Sequence, residues 1–259
     1  MDAFTAHNIR FPNGECTIPG APIWPEGDQV EAVLRTLNIA FAGQVSGKTL
    51  VDLGCLEGGW TAEFARAGFD ALGIEARKVN IEKCKYVAEH LNLPNLRFCL
   101  DDALNIEQRG RFDAVFCSGL LYHLEDPAAY LRTLGEVTRR VLIIQTHYAT
   151  AEESVPRQTY SLSDLVTHEG NLGRWYEEYP ADADSEWVEQ QTWTSYGNSR
   201  SFWLEKRHLL QVLRDVGFSP VYEQFDFLAN AVTDDYIERH DRSLFVAYKA
   251  DYDFNSAEL

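Results

Sequence analysis

Thr49-Leu50-Val51-Asp52-Leu53-Gly54-Cys55-Leu56-Glu57-Gly58-Gly59 is the stretch on which the fold of this chain turns. Five residues of strand-forming character run directly into a glycine loop, and Trp60 to Ala67 then take up a helical pattern. Glycine is required where a backbone turns tightly or approaches a ligand closely, because a residue without Cβ enters those conformations without penalty. The spacing is D-x-G-x-x-x-G, not the G-x-G-x-x-G that cradles a dinucleotide pyrophosphate. Asp52 at the strand end suits an ammonium group far better than a phosphate. Tight β-to-α turns also use glycine for structural reasons alone, so the loop has to be read with its neighbours.

Outward from the loop, short apolar runs alternate with helical patterns. Strands are predicted at Thr49–Leu53, Ala71–Glu75, Leu96–Leu100, Phe112–Cys117 and Val141–Thr146. Helices are predicted at Trp60–Ala67, Val79–Leu91 and about Pro127–Thr138. This order predicts parallel βαβ units with helices on both faces of one sheet, an α/β fold. On the N-terminal side, Pro and Gly make residues 11–25 an extended lead-in, and Val30, Val33, Leu34, Leu37 and Phe41 space a helix over Glu26–Ala42. After Thr146 the alternation stops. Residues 148–203 are polar, acidic and aromatic without a convincing period, and six carboxylates fall between Glu177 and Glu189. So long a connection in a compact fold is functional or disordered, and its aromatic density argues for a lid over the carboxyl edge of the sheet. A helix over Leu204–Val216, strands over Pro220–Phe227 and Ser243–Tyr248, and a tail complete the chain. The expected divisions are an arm and helix over 1–45, the main domain over 46–250 with its insertion at about 148–203, and a tail over 251–259.

Chemistry-bearing residues gather at the strand ends. Glu75 ends the second strand, where a carboxylate accepts hydrogen bonds from ribose hydroxyls. Asp101-Asp102-Ala103 ends the third and can take the exocyclic amine of adenine. Ser118 to His123 follows the fourth. Four successive strand ends therefore suit one positively charged, adenosine-containing ligand.

Bulk composition narrows the partners. The 259 residues carry 40 acidic and 23 basic side chains, a formal charge of −17, and a field of that sign disfavours nucleic acid and anionic lipid. The five cysteines, Cys16, Cys55, Cys84, Cys99 and Cys117, form no C-x-x-C or Cys/His cluster, which predicts reduced thiols and no metal site. Cys55 either lines the site or simply packs. Residues 1–11 lack the pattern of a signal peptide and no run is long enough to span a membrane, so a cytoplasmic protein is expected, monomeric or homodimeric.

Val51 to Cys55, Gly73 to Ala76, Asp101 to Ala103, Phe112 to Val115 and Leu121 to Pro127 together resemble the class I, Rossmann-like S-adenosylmethionine-dependent methyltransferases. That resemblance implies a seven-stranded, mostly parallel sheet whose last strand is antiparallel, with S-adenosylmethionine as donor and S-adenosylhomocysteine as product. It implies that Asp52 and Gly54 lie near the methionine part, Glu75 on ribose and Asp102 on adenine. The full candidate donor set is Asp52, Gly54, Cys55, Gly58, Glu75, Ala76, Asp101, Asp102, Ala103 and Ser118. Glu57 departs from the family, in which many members have another glycine there.

Methyl transfer chiefly needs alignment of nucleophile and donor, with a base where the acceptor is a hydroxyl. His123 and His147 are the candidate bases, and Tyr122 is a candidate for orienting the donor. Aromatics and carboxylates in the lid suit a flat aromatic or cationic small-molecule acceptor, which points to a methyltransferase of secondary metabolism acting on O or N. A narrower resemblance, carried by Gly119 to His123, Ser201 to Leu204 and Leu213 to Phe218, is to wobble-uridine tRNA carboxymethyltransferases; the acidic charge opposes it. A non-catalytic nucleoside sensor or scaffold is the remaining alternative.

Overall fold

In the computed structural model, residues 3–23, 28–150, 160–225 and 241–250 are described. The expected tail 251–259, the first residues of the predicted Glu26–Ala42 helix, the end of the predicted Pro220–Phe227 strand and residues 151–159 of the insertion lie outside them.

The first helix, α1, covers Asp28–Ala40, and the alternating series follows as the sequence predicts. It comprises β1 (Thr49–Leu53), α2 (Gly59–Ala67), β2 (Asp70–Glu75), α3 (Lys78–Leu91), β3 (Leu96–Leu100), β4 (Phe112–Ser118), α4 (Pro127–Val137) and β5 (Thr138–His147). β6 (Val166–His168), β7 (Asn171–Glu177), α5 (Ser185–Gln190), β8 (Arg200–Leu204), α6 (Lys206–Asp215), β9 (Phe218–Gln224) and β10 (Arg242–Lys249) complete it. Seven strands form one sheet in the order β3-β2-β1-β4-β5-β10-β9. β10 runs antiparallel to both of its neighbours, and the other pairings are parallel. This is the expected seven-stranded Rossmann-like sheet with its last strand antiparallel.

Alternation along each strand builds two cores. Leu50, Phe116, Ile143 and Val246 point to the face covered by α1, α2 and α3, where Phe64, Val33 and Leu37 meet them. Val51, Val115, Leu142 and Phe245 point to the other, against Leu131 and Leu134 of α4 and Leu209 and Leu213 of α6. Side chains one apart in a strand face opposite sides, so a sheet buried on both faces needs runs apolar at every position. The strands β4, β5 and β10 have them.

The insertion departs from expectation. Residues 148–203 read as aperiodic, yet β6, β7 and β8 pair as a small antiparallel sheet. Large aromatics on both faces of β7 and β8 hide the alternation: Trp175 and Phe202 pack on one another, and Tyr176 packs on Trp203. The last helix also begins later than predicted, because Leu204 belongs to β8 and Glu205 caps α6 through its carboxylate to the Arg207 and His208 N–H groups. Among the described residues, no helix is long and apolar enough to cross a membrane.

Candidate active site

The carboxyl ends of β1, β2, β3 and β4 open into a cavity of about 1250 Å³ that the insertion walls on its far side. At its floor, β1 turns into α2 with Gly54, Leu56 and Gly58 all at positive φ. The Gly54 and Cys55 N–H groups donate to the Ile74 carbonyl at 2.9 and 3.0 Å, which ties the loop to β2. A Cβ on Gly58 would stand 2.6 Å from the Phe98 ring, so this glycine is set by packing as well as by φ.

Asp52 lines the cavity although it is only 2% exposed. Burial pushes its carboxyl up to about 7, against the hydrogen bond it accepts from Thr61 Oγ1 at 2.6 Å. Glu75, also in the wall, accepts from the Leu56 and Arg77 N–H groups at 3.0 and 2.9 Å. Burial raises its pKa, and the backbone donors oppose that rise. Asp102 lines the same wall and accepts from the Leu104 N–H at 2.9 Å. Gly54, Cys55, Ala76, Ala103 and Ser118 lie in the lining with them.

Two members of the candidate donor set stand elsewhere. Gly58 sits behind the loop as the N-cap of α2, and Asp101 turns away to accept from Asn105 and Arg109. Neither is among the residues that line the cavity. The Cys55 thiol packs rather than reaches, 3.9 Å from Cys84 Sγ, and burial raises the pKa of both.

On the opposite wall, β4 ends in a one-turn 3₁₀ segment, Leu121–His123, that brings Tyr122 and His123 into the lining. His123 Nδ1 lies 2.8 Å from Glu178 Oε1. The Glu178 side chain is 1% exposed and also accepts from Ser201 Oγ at 2.7 Å and the Ser195 N–H at 3.1 Å. A carboxylate with three donors is fixed in place, and it fixes the imidazole in turn. His147 is not in the lining. Its ring stacks on Trp203, 4.7 Å between centroids, with the edge of Tyr122 at 4.8 Å, and burial lowers its pKa. Tyr122, Tyr160, Tyr176 and Trp203 form an aromatic wall beside His123.

Sequence reasoning missed three contributors. Glu178 carried no motif and was one acid in a run of six. Arg77 donates from the start of α3 to the Thr194 and Ser195 carbonyls at 2.9 and 3.2 Å, so it ties the insertion across the floor. Thr5, Ala6 and His7, given no role in the sequence reading, line the cavity. An aromatic or acid surrounded by others of its kind gives no one-dimensional signal of which member faces inward.

Residues 44–214 match a family model described as a methyltransferase domain. The ubiquinone biosynthesis O-methyltransferase of Acinetobacter baylyi is 31% identical over 93 residues, 35% of this chain and 39% of that protein. That of Psychrobacter cryohalolentis is 36% identical over 88 residues, 33% of this chain and 34% of that protein. The chain thus spans well under half the length of these relatives. Among solved structures, the N-terminal domain of EvdMO1, crystallised in the presence of SAH and D-fucose, is 24% identical with a TM-score of 0.66, covering 93% of this chain and 90% of that one. The 1,6-didemethyltoxoflavin-N1-methyltransferase of Burkholderia thailandensis, with its bound ligands, is 16% identical with a TM-score of 0.54, covering 87% and 80%. These two likenesses are of fold. With its strand order and the match across most of its length, the chain belongs to this methyltransferase-domain family.

Proposed function

We propose that the cavity takes S-adenosylmethionine against the glycine loop and a small-molecule hydroxyl acceptor against the aromatic wall, and that the chain transfers the methyl group between them. One observation carries this reading: a single cavity sets Asp52, Glu75 and Asp102 opposite His123, which a buried carboxylate holds. At about 1250 Å³ it exceeds the roughly 300–1,000 Å³ usual for one ligand, in keeping with two. The residues fit the donor. Asp52 would take its ammonium, Glu75 its ribose hydroxyls and Asp102 its adenine amine, while Gly54, at φ 70°, leaves the backbone open to close approach. When bound, the donor supplies an activated methyl on a sulfonium.

The protein's own work is alignment and proton removal. With its Nδ1–H donated to Glu178, His123 keeps Nε2 as the proton acceptor for the hydroxyl, and Glu178 stabilises the imidazolium that results. Tyr122, Tyr160, Tyr176 and Trp203 offer ring faces and edges to a flat acceptor. Arg242 lies in the same wall, its guanidinium 5.8 Å from the Tyr122 ring, and sets like charge against a cationic acceptor. An aromatic alcohol or phenol is therefore the better candidate, in keeping with the O-methyltransferases among the relatives. Incubation with methyl-labelled donor and extracts of small metabolites is expected to label a small molecule. Label confined to RNA or protein contradicts the reading.

A further inference from the structure

Glu57, in the loop position that the resemblance leaves to glycine, has no solvent exposure at all. A buried carboxylate is costly unless it is paired and fully hydrogen-bonded, and this one is both. Lys83 Nζ lies 2.8 Å from Oε1. The other donors come from the start of the chain. The Thr5 N–H (2.8 Å) and hydroxyl (3.2 Å) reach Oε1, and the Ala6 (2.9 Å) and His7 (3.0 Å) N–H groups reach Oε2. Burial pushes the Glu57 pKa up, but these donors more than offset it and hold it below the usual value.

Three further contacts fasten the same segment. His7 Nδ1 accepts from the Gly59 N–H at 3.0 Å, and Phe4 is buried against Tyr86, with the Lys83 ammonium 5.9 Å from its ring. Thr5, Ala6 and His7 thereby stand in the cavity wall beside Asp52, Gly54 and Leu56. Three successive backbone N–H groups on one buried carboxylate form a latch, because each lost bond leaves an oxygen of that buried carboxylate short of a partner.

We propose that Glu57 is a positioning residue, which holds Thr5 to His7 as a wall of the donor half of the cavity and makes donor affinity depend on a segment some 50 residues earlier in the chain. This inference rests on the reading of that half as the S-adenosylmethionine site. Glu57 touches no reacting atom; it shapes the enclosure.

Two variants separate the latch from the fold. Glu57→Gln combined with Lys83→Met removes the carboxylate without stranding a buried ammonium. Ala6→Pro deletes one N–H of the latch and leaves the Glu57–Lys83 pair intact. Each is expected to weaken SAH binding about tenfold by calorimetry, the scale of one hydrogen bond to a charged group, with kcat at saturating donor within about twofold of the parent. Hydrogen exchange on the unmodified full chain supplies a readout that needs no variant: SAH is expected to slow the amides of residues 5–7 together with those of 54–59. Slowing at 54–59 alone, or folded variants that bind SAH as the parent does, overturns the latch while leaving the donor site standing. Failure of the parent chain to bind SAH overturns the donor site itself and the latch with it.

Discussion

Asp52 combines a terminal strand position, near-complete burial and a carboxyl pushed up to about 7, and those three facts give a pH dependence of known sign. A raised folded-state value means that Asp52 contributes stability fully below its ordinary 3.8, and that this is lost as pH rises through about 7. A cationic ligand favours the ionised form and expels the proton. Donor affinity is therefore expected to rise with pH up to about 7 and level off above it, with proton release measured by calorimetry in buffers of different ionisation heat. Asp52→Asn should flatten the profile; a wild-type profile that is already flat would show that the donor ammonium does not meet Asp52. Asp52, Glu75 and Asp102 were legible in the sequence because each ends a strand, and position in a parallel sheet places such residues at one edge. Gly58 and Asp101 lie outside the cavity lining because a loop or strand end has two sides, and spacing alone does not say which one faces the cavity.

At the scale of elements, the site depends on a join between the 3₁₀ turn after β4 and the residue that follows β7. His123 is visible in sequence as part of the segment that follows the fourth strand, whereas Glu178, 55 positions later, is found only once β7 and β8 pair. His123→Ala is expected to lower kcat about 10²-fold or more, the usual share of a general base. Glu178→Gln should lower it by less, with the donor KM unchanged in steady-state assays. Equal losses in KM and kcat would mean that the pair holds up the wall instead. The opposite face of the sheet offers a test of packing. Phe116 of β4 is 1% exposed, with its ring 4.8 Å from Trp60 and 5.1 Å from Phe64. Phe116→Ala should cost about 3–5 kcal/mol in denaturant unfolding, since a full aromatic leaves a cavity that its neighbours only partly fill. The insertion's small sheet was not legible, because packing of aromatics on both of its faces removes the period of two by which a half-buried strand is recognised.

For the molecule as a whole, strand–helix alternation was enough to predict the parallel sheet, and the resemblance supplied the antiparallel last strand; both are present. Strands β1, β4, β5 and β10 carry apolar residues on both faces, a pattern that only a sheet covered by helices on each side can bury. The cavity at its carboxyl edge is built from parts far apart in the chain: the arm at 5–7, the loop after β1, the turn after β4 and the insertion. The half proposed for the donor is lined by strand ends that topology brings together, while the half proposed for the acceptor is lined by aromatics that meet only through distant contacts, so only the former is visible in sequence. We propose that one S-adenosyl ligand occupies the loop side of this cavity. Native mass spectrometry of the purified chain titrated with SAH tests it most directly. Saturation is expected at one SAH per chain, lost or much weakened in Asp52→Asn. No adduct, or retention of a nicotinamide dinucleotide in its place, would contradict it.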